Sequence, residues 1–282
     1  MLKLEKLIER SSKLGSLPAI VYRVFEVMDD PKSTASQIGK VINDDPALTA
    51  RLLKLVNSPF YGFSAKVDTV YRAVALIGHK ELRSVVVAAS AIKVFDGIPS
   101  ELVDMPAFWK RSLMTAVVSR VLAAFKREKE IERFFIAGLL HDIGSLLMYL
   151  QLPEEMTEAL RQQEEGANRA EVEKQLLGYH HAEVGGALLK KWNLPPLICQ
   201  AVGYQLTPEQ SPEAGRAAAQ LLSLAKAIVD CHLDTDTRDE ADSCSVDEAL
   251  WAANGLDASM LPTILEKVEQ QYEGSKDILL AS

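Results

Sequence analysis

Five histidines occur in the 282 residues, and one of them is followed directly by an aspartate, His141-Asp142. An imidazole and a neighbouring carboxylate can hold one divalent cation together. The carboxylate can also bridge to a second ion or to a water that attacks a phosphoester. The dipeptide alone is a weak signal, because chance produces it often in a chain of this length. Its position adds weight: it ends the apolar run Phe134-Phe135-Ile136-Ala137-Gly138-Leu139-Leu140 and precedes Ile143-Gly144. A carboxylate in such surroundings needs a metal, a cation or helix-capping donors, since burying it unpaired is costly. His180-His181 offers further ligands or, as the preferred reading, a polar helix start with a satisfied core histidine. Ser112 and Thr115 lie in no legible Ser-His-Asp arrangement. No G-x-x-x-x-G-K-[ST] or G-x-G-x-x-G loop occurs. Cys199, Cys231 and Cys244 are scattered, without C-x-x-C spacing. They are expected to be reduced thiols of a cytoplasmic protein.

The elements that must position this dipeptide are predicted to be helical throughout. Ile38, Val41 and Ile42 repeat at helical spacing after a Ser33/Thr34 start signal, and Asp45-Pro46 opens a second helix that ends at Asn57-Ser58-Pro59. A run from Val70 stops at Gly78, and another continues from Glu81 to Val94. Asp96-Gly97-Ile98-Pro99-Ser100 is the first credible boundary. Beyond it a long helix starts at Pro106, and the apolar run before His141 reads as a central buried helix, its stretch ended by Pro153. Further helical patterns cover about 154–165, 169–177, 181–192, 196–205, 214–231 and 258–273. Sustained period-two alternation is lacking, so the expectation is an all-α, multi-helix bundle in two subdomains, 1–97 and 98–282. Trp109, Trp192 and Trp251 sit on helical patterns and are expected in the core or at an interface.

The overall composition, 48% hydrophobic and 25% charged with 15 Gly and 12 Pro, is that of an ordinary globular chain. The formal charge of −8 divides unevenly, about +4 over residues 1–97 and −12 over 98–282. Residues 233–249 hold seven acids against Arg238 and read as a solvated acidic loop. Uninterrupted apolar stretches such as 85–89 fall short of the roughly 20 residues that span a bilayer, and Met1–Lys6 has no signal-peptide core. Residues 34–57 have the outline of a DNA-binding helix-turn-helix, with Arg51 and Lys54 on the second helix. Asp44 and Asp45 would repel phosphate, and the net acidity disfavours nucleic acid as a partner.

A set of stretches in this order resembles the HDOD family, bacterial signalling domains related to HD-type metal-dependent phosphohydrolases. They are Leu14–Pro18, Ile42–Thr49, Leu55–Gly62, Ala73–Gly78, Phe108-Trp109, Gly138–Gly144, His181–Gly185 and Trp192–Pro195. The resemblance spans about residues 10–230 and implies an all-helical fold with an HD-like C-terminal bundle. It further implies a signalling or scaffolding module rather than a demonstrated enzyme.

An active HD site would need more histidines and a late aspartate than this chain offers. His141, Asp142 and His181 match the motif, whereas the resemblance puts Arg111 at the first histidine, Tyr204-Gln205 near the paired histidines and Lys226 at the late aspartate. His79 and His232 lie outside the motif positions. A guanidinium cannot coordinate a metal, and its field opposes one. The expectation is therefore a degenerate HD site in which Arg111 and Lys226 converge on Asp142, with no cofactor. The favoured function is a non-catalytic regulatory module acting through signalling-protein contacts, with a small ligand or cyclic nucleotide as a possible occupant of the pocket and a second copy as a possible partner. The alternatives are a phosphohydrolase holding a divalent metal on His141, Asp142 and His181, and, more remotely, a nucleic-acid-binding regulator.

Overall fold

A computed structural model describes residues 2–11, 15–59, 61–95, 97–233 and 245–275. Among these residues every regular element is helical, as the hydrophobic periodicity predicts. The N-terminal set comprises α1 (Leu4–Arg10), α2 (Ala19–Asp29), α3 (Ala35–Asn43), α4 (Pro46–Val56) and α5 (Val70–Val94). Thr34 opens α3 with a reciprocal cap: Gln37 N donates to the threonine hydroxyl at 3.3 Å, and Thr34 N donates to Gln37 Oε1 at 2.8 Å. Asp45 opens α4 by accepting from Ala47 N and Leu48 N, both at 2.9 Å, with Pro46 at the first helical position. Ile38, Ile42, Leu48, Leu52, Leu55 and Val56 are all buried, so α3 and α4 form a core hairpin packed on α5. Arg51, read as a possible phosphate contact, is buried there, and its Nε donates to Ala89 O at 2.7 Å. The expected break at Gly78 is a kink within α5, where a φ of +76° requires glycine.

The C-terminal set begins with α6 (Met105–Phe125), buried around most of its circumference, and α7 (Ile131–Leu139), which lies along it. Gly138 permits this approach, since a Cβ there would fall 2.5 Å from Ala116 Cα. The apolar stretch before Pro153 is two helices rather than one. α8 (Ile143–Gln151) restarts after the turn at 140–142, so His141-Asp142 stands at a helix junction. Residues 131–151 are long and apolar enough on composition to cross a membrane, a stretch the reading of uninterrupted runs overlooks; most of it is buried inside the fold.

Next come α9 (Pro153–Glu164), α10 (Arg169–Leu177), α11 (His181–Lys191), α12 (Pro196–Gly203) and α13 (Glu213–Ile228). A π-helical turn, Val229–Leu233, extends α13. Then follow α14 (Glu248–Ala253) and α15 (Leu261–Glu273). Residues 234–244 of the predicted acidic loop lie outside the described residues; its end is helical instead, with Asp247 capping α14 by accepting from Ala249 N at 2.8 Å. The expectation of three reduced thiols is corrected at Cys231, which is disulfide-bonded, while Cys199 is free and Cys244 lies outside the described residues. Spacing along the chain carries no information on the short distance between sulfurs that a bridge requires.

One buried apolar cluster runs through both sets of helices. Trp109, Trp192 and Trp251 are all in it, and Trp192 packs against Phe95 at 6.3 Å between ring centroids. Lys191 of α11 ties down the end of α1 by donating from Nζ to Ile8 O at 2.6 Å. Glu81 of α5 faces Arg133 of α7 at 3.9 Å. Burial, opposed by Arg133 and reinforced by Glu132 and Glu130, pushes the Glu81 carboxyl up to about 7. A carboxyl raised on folding contributes stability that is fully present below its unfolded value of 4.5 and is lost as pH rises through about 7. Chemical denaturation between those pH values is therefore expected to show a decline of at most about 3 kcal/mol for the natural chain, and a flatter profile for Glu81→Gln.

Candidate functional site

The His141-Asp142 junction is held close to α11 by a backbone-to-backbone approach at Gly144. A Cβ on Gly144 would lie 2.0 Å from His181 O and 2.5 Å from Gly185 N, so only glycine lets α8 cross α11 here. That crossing brings Asp142, at the start of α8, toward α10 and α11. His141 is 3% exposed, and its Nδ1 donates to Gly138 O at 2.8 Å. Burial pushes His141 down to about 4, and the charges of Lys226 and Arg111 act in the same direction against Asp142.

Asp142 meets a cation, though not the predicted ones. One of its oxygens accepts from the Ser145 hydroxyl, and the other lies 3.9 Å from Nη1 of Arg169. Arg169 Nη2 donates to Ser145 Oγ at 2.6 Å, Nε donates to Glu173 Oε1 at 2.8 Å, and its guanidinium carbon lies 5.5 Å from the centre of the Tyr149 ring. Glu173 is fully buried, and its second oxygen accepts from His181 N at 2.8 Å and His181 Nδ1 at 2.7 Å. Burial works against the charge of Asp142, but Arg169, with His181 and His141, more than offsets it and holds the carboxyl at about 2. Glu173 is likewise lowered against its burial, chiefly by His181 and Arg169.

Arg111 and Lys226 do converge on a carboxylate, but it is Asp230. Arg111 Nη2 donates to one oxygen at 2.5 Å and Lys226 Nζ to the other at 2.6 Å. The expected convergence on Asp142 is corrected for a local reason: Asp230 follows Lys226 by four residues, within reach on the same helical face. Both cations still bear on His141 through their fields. Gln205 is 1% exposed and donates from Nε2 to His141 O at 2.7 Å and to Val202 O at 3.1 Å, bracing the junction's backbone. Tyr204 lies elsewhere, lining a cleft of about 640 Å³ with Glu183, Lys190, Cys199 and Gln200. His180 caps α11 as a polar helix start, accepting from Glu183 N on its ring at 3.3 Å.

The residues missed by sequence reasoning are Ser145, Tyr149, Arg169, Glu173 and Asp230. Three of the pairings have helical spacing, Asp142–Ser145, Arg169–Glu173 and Lys226–Asp230, and were legible as such. Their assembly across helices was not.

The model of the HDOD domain matches residues 14–208. The chain belongs to the HDOD family. A solved HDOD domain protein of unknown function from Geobacter sulfurreducens is 25% identical, with a TM-score of 0.69 over 96% of this chain and 97% of that one. A Shewanella amazonensis SB2B protein described as a candidate phosphohydrolase is 27% identical, with a TM-score of 0.74 over 97% of both chains. An uncharacterized protein of Treponema pallidum (strain Nichols) is 24% identical over 223 residues, which is 78% of this chain and 43% of that relative. This chain thus spans less than half the length of that relative.

HD-type kinship implies a divalent metal, and the residues of this HDOD chain do not fit one. A guanidinium lies against Asp142 and Glu173, where the ion would need open oxygen donors. Among the described residues no three His, Cys, Asp or Glu side chains are gathered to hold a metal ion. The network is instead an internally paired junction of α8, α10 and α11. Glu173→Ala, which strips Arg169 and His181 of their buried partner, is expected to cost about 3–5 kcal/mol of folding stability. Glu173→Gln is expected to cost less, and equilibrium denaturation of the two variants checks the order.

Proposed function

We propose that this HDOD chain is a non-catalytic regulatory module of signal transduction, working through contacts with signalling proteins. The observation that carries the reading is the Arg169 guanidinium facing both Asp142, the carboxylate of the HD pair, and Glu173. Hydrolysis of a phosphoester by this chemistry needs a cation that polarises the ester and activates water. A guanidinium can do the first and not the second, because it has no coordination site.

Further features of the reading follow from charge and exposure. The N-terminal unit, residues 1–97, is mildly basic and the remainder strongly acidic, which suits an acidic partner or a second copy of the chain. Arg111 and Lys226 keep 41% and 29% of their side-chain surface exposed beside Asp230, so a small anionic ligand, a cyclic nucleotide included, could compete with that carboxylate. A cytoplasmic location belongs to the same reading.

The metal-dependent phosphohydrolase is the second reading, favoured by the description of the Shewanella relative at 27% identity. Purified chain assayed with Mg²⁺, Mn²⁺ or Ni²⁺ on a chromogenic phosphodiester and on cyclic nucleotides decides between them. Turnover at the level of the blank is expected. Metal-dependent turnover that disappears in Asp142→Ala would overturn the non-catalytic reading.

A further inference from the structure

The misfit between this pocket and a metal has a specific geometric cause. One guanidinium, 18% exposed, uses its nitrogens toward three residues on two helices: Glu173 on its own helix, Ser145 on α8, and Asp142 at the entry to α8. Two carboxylates therefore face a single cation. A salt bridge on an exposed surface would contribute little, but Glu173 is fully buried and cannot relax into water if the cation leaves. Without Arg169 the pair must take up a proton or recruit another cation.

The surroundings are arranged as the outer shell of an ion site normally is. His141 donates from Nδ1 to Gly138 O and His181 donates from Nδ1 to Glu173, which fixes the orientation of both rings. The oxygen donors within reach of the guanidinium are Asp142, Glu173 and Ser145. Carboxylate and hydroxyl oxygens of this kind suit a hard divalent ion completing its shell with water.

We propose that Arg169 is the resident cation of this pocket: it pairs with Asp142 and Glu173 at once and keeps a divalent ion out, so that removing its charge uncovers a latent Mn²⁺ site on those two carboxylates and Ser145. The proposal rests on the non-catalytic reading in one respect, that the natural chain takes no metal at this place.

The test titrates Mn²⁺ into the full chain, following free Mn²⁺ by electron paramagnetic resonance and melting temperature in parallel. The natural chain and Arg169→Lys are expected to leave the free-ion signal unchanged. Arg169→Met and Arg169→Gln are expected to melt lower without metal, to bind one Mn²⁺ per chain in the millimolar range or tighter, and to regain melting temperature as it binds. Adding Asp142→Asn to Arg169→Met should abolish both gains. Should Arg169→Met be unfolded without metal, refolding on addition of Mn²⁺ supports the proposal, and failure of both uncharged variants to refold overturns it. Folded Arg169→Met and Arg169→Gln chains that bind no Mn²⁺, or an Arg169→Lys chain that binds it, would overturn the role given to Arg169 and leave the regulatory reading intact. Stoichiometric Mn²⁺ on the natural chain, lost on Asp142→Asn, would overturn both.

Discussion

Two carboxylates and one guanidinium meet where α8, α10 and α11 converge, and the rest of the C-terminal helices are arranged so that none of the three is left unpaired. Glu173 has no exposed surface, yet it is held as an anion by the backbone and ring of His181 and by Arg169. Asp142 obtains the same support from Ser145 and Arg169. Such a network depends on fixed helix positions, because charge-assisted hydrogen bonds in a poorly solvated place lose their advantage when the geometry loosens. Gly144 and Gly138 supply that fixity. Each allows a backbone-to-backbone approach that any side chain would block, the first between α8 and α11 and the second between α7 and α6.

Around this junction the remaining polar residues support it or lie at its edge. Gln205 holds the carbonyl of His141, so the HD pair is gripped through its backbone as well as through its side chains. Arg111, Lys226 and Asp230 form a second ion-paired group at the end of α13, with two cations on one carboxylate, and it is more exposed than the first. The two groups differ in what they permit. Arg169 is enclosed by its partners, whereas Arg111 and Lys226 share a half-buried carboxylate. The HDOD scaffold does not by itself fix what either group does, since function is carried by the site and not by the fold.

The N-terminal helices illustrate how burial resolves a sequence ambiguity. The α3–α4 pair has the outline of a DNA reader and a basic residue on the right helix. Arg51 is nonetheless turned into the core, onto a carbonyl of α5. Its charge and position along the chain were plain in the sequence. The direction of its side chain was not, because that depends on the helix packed against it.

Local signals were sufficient for much of this protein. Thr34 with Gln37, Asp45 with Pro46, and the kink at Gly78 follow from backbone chemistry within a few residues, and α10 occupies the span its periodicity predicts. The helical class and the family were likewise legible. The break between α7 and α8 was not, since both flanks are equally apolar and the turn carries no glycine or proline of its own. What only the tertiary structure decided is which charge faces which: Asp230 rather than Asp142 for Arg111 and Lys226, and Arg169 for Asp142. A sequence specifies charges and their spacing along one helix. The pairing of charges on different helices is decided by helix crossing, and here that crossing depends on a glycine with no side chain to mark it.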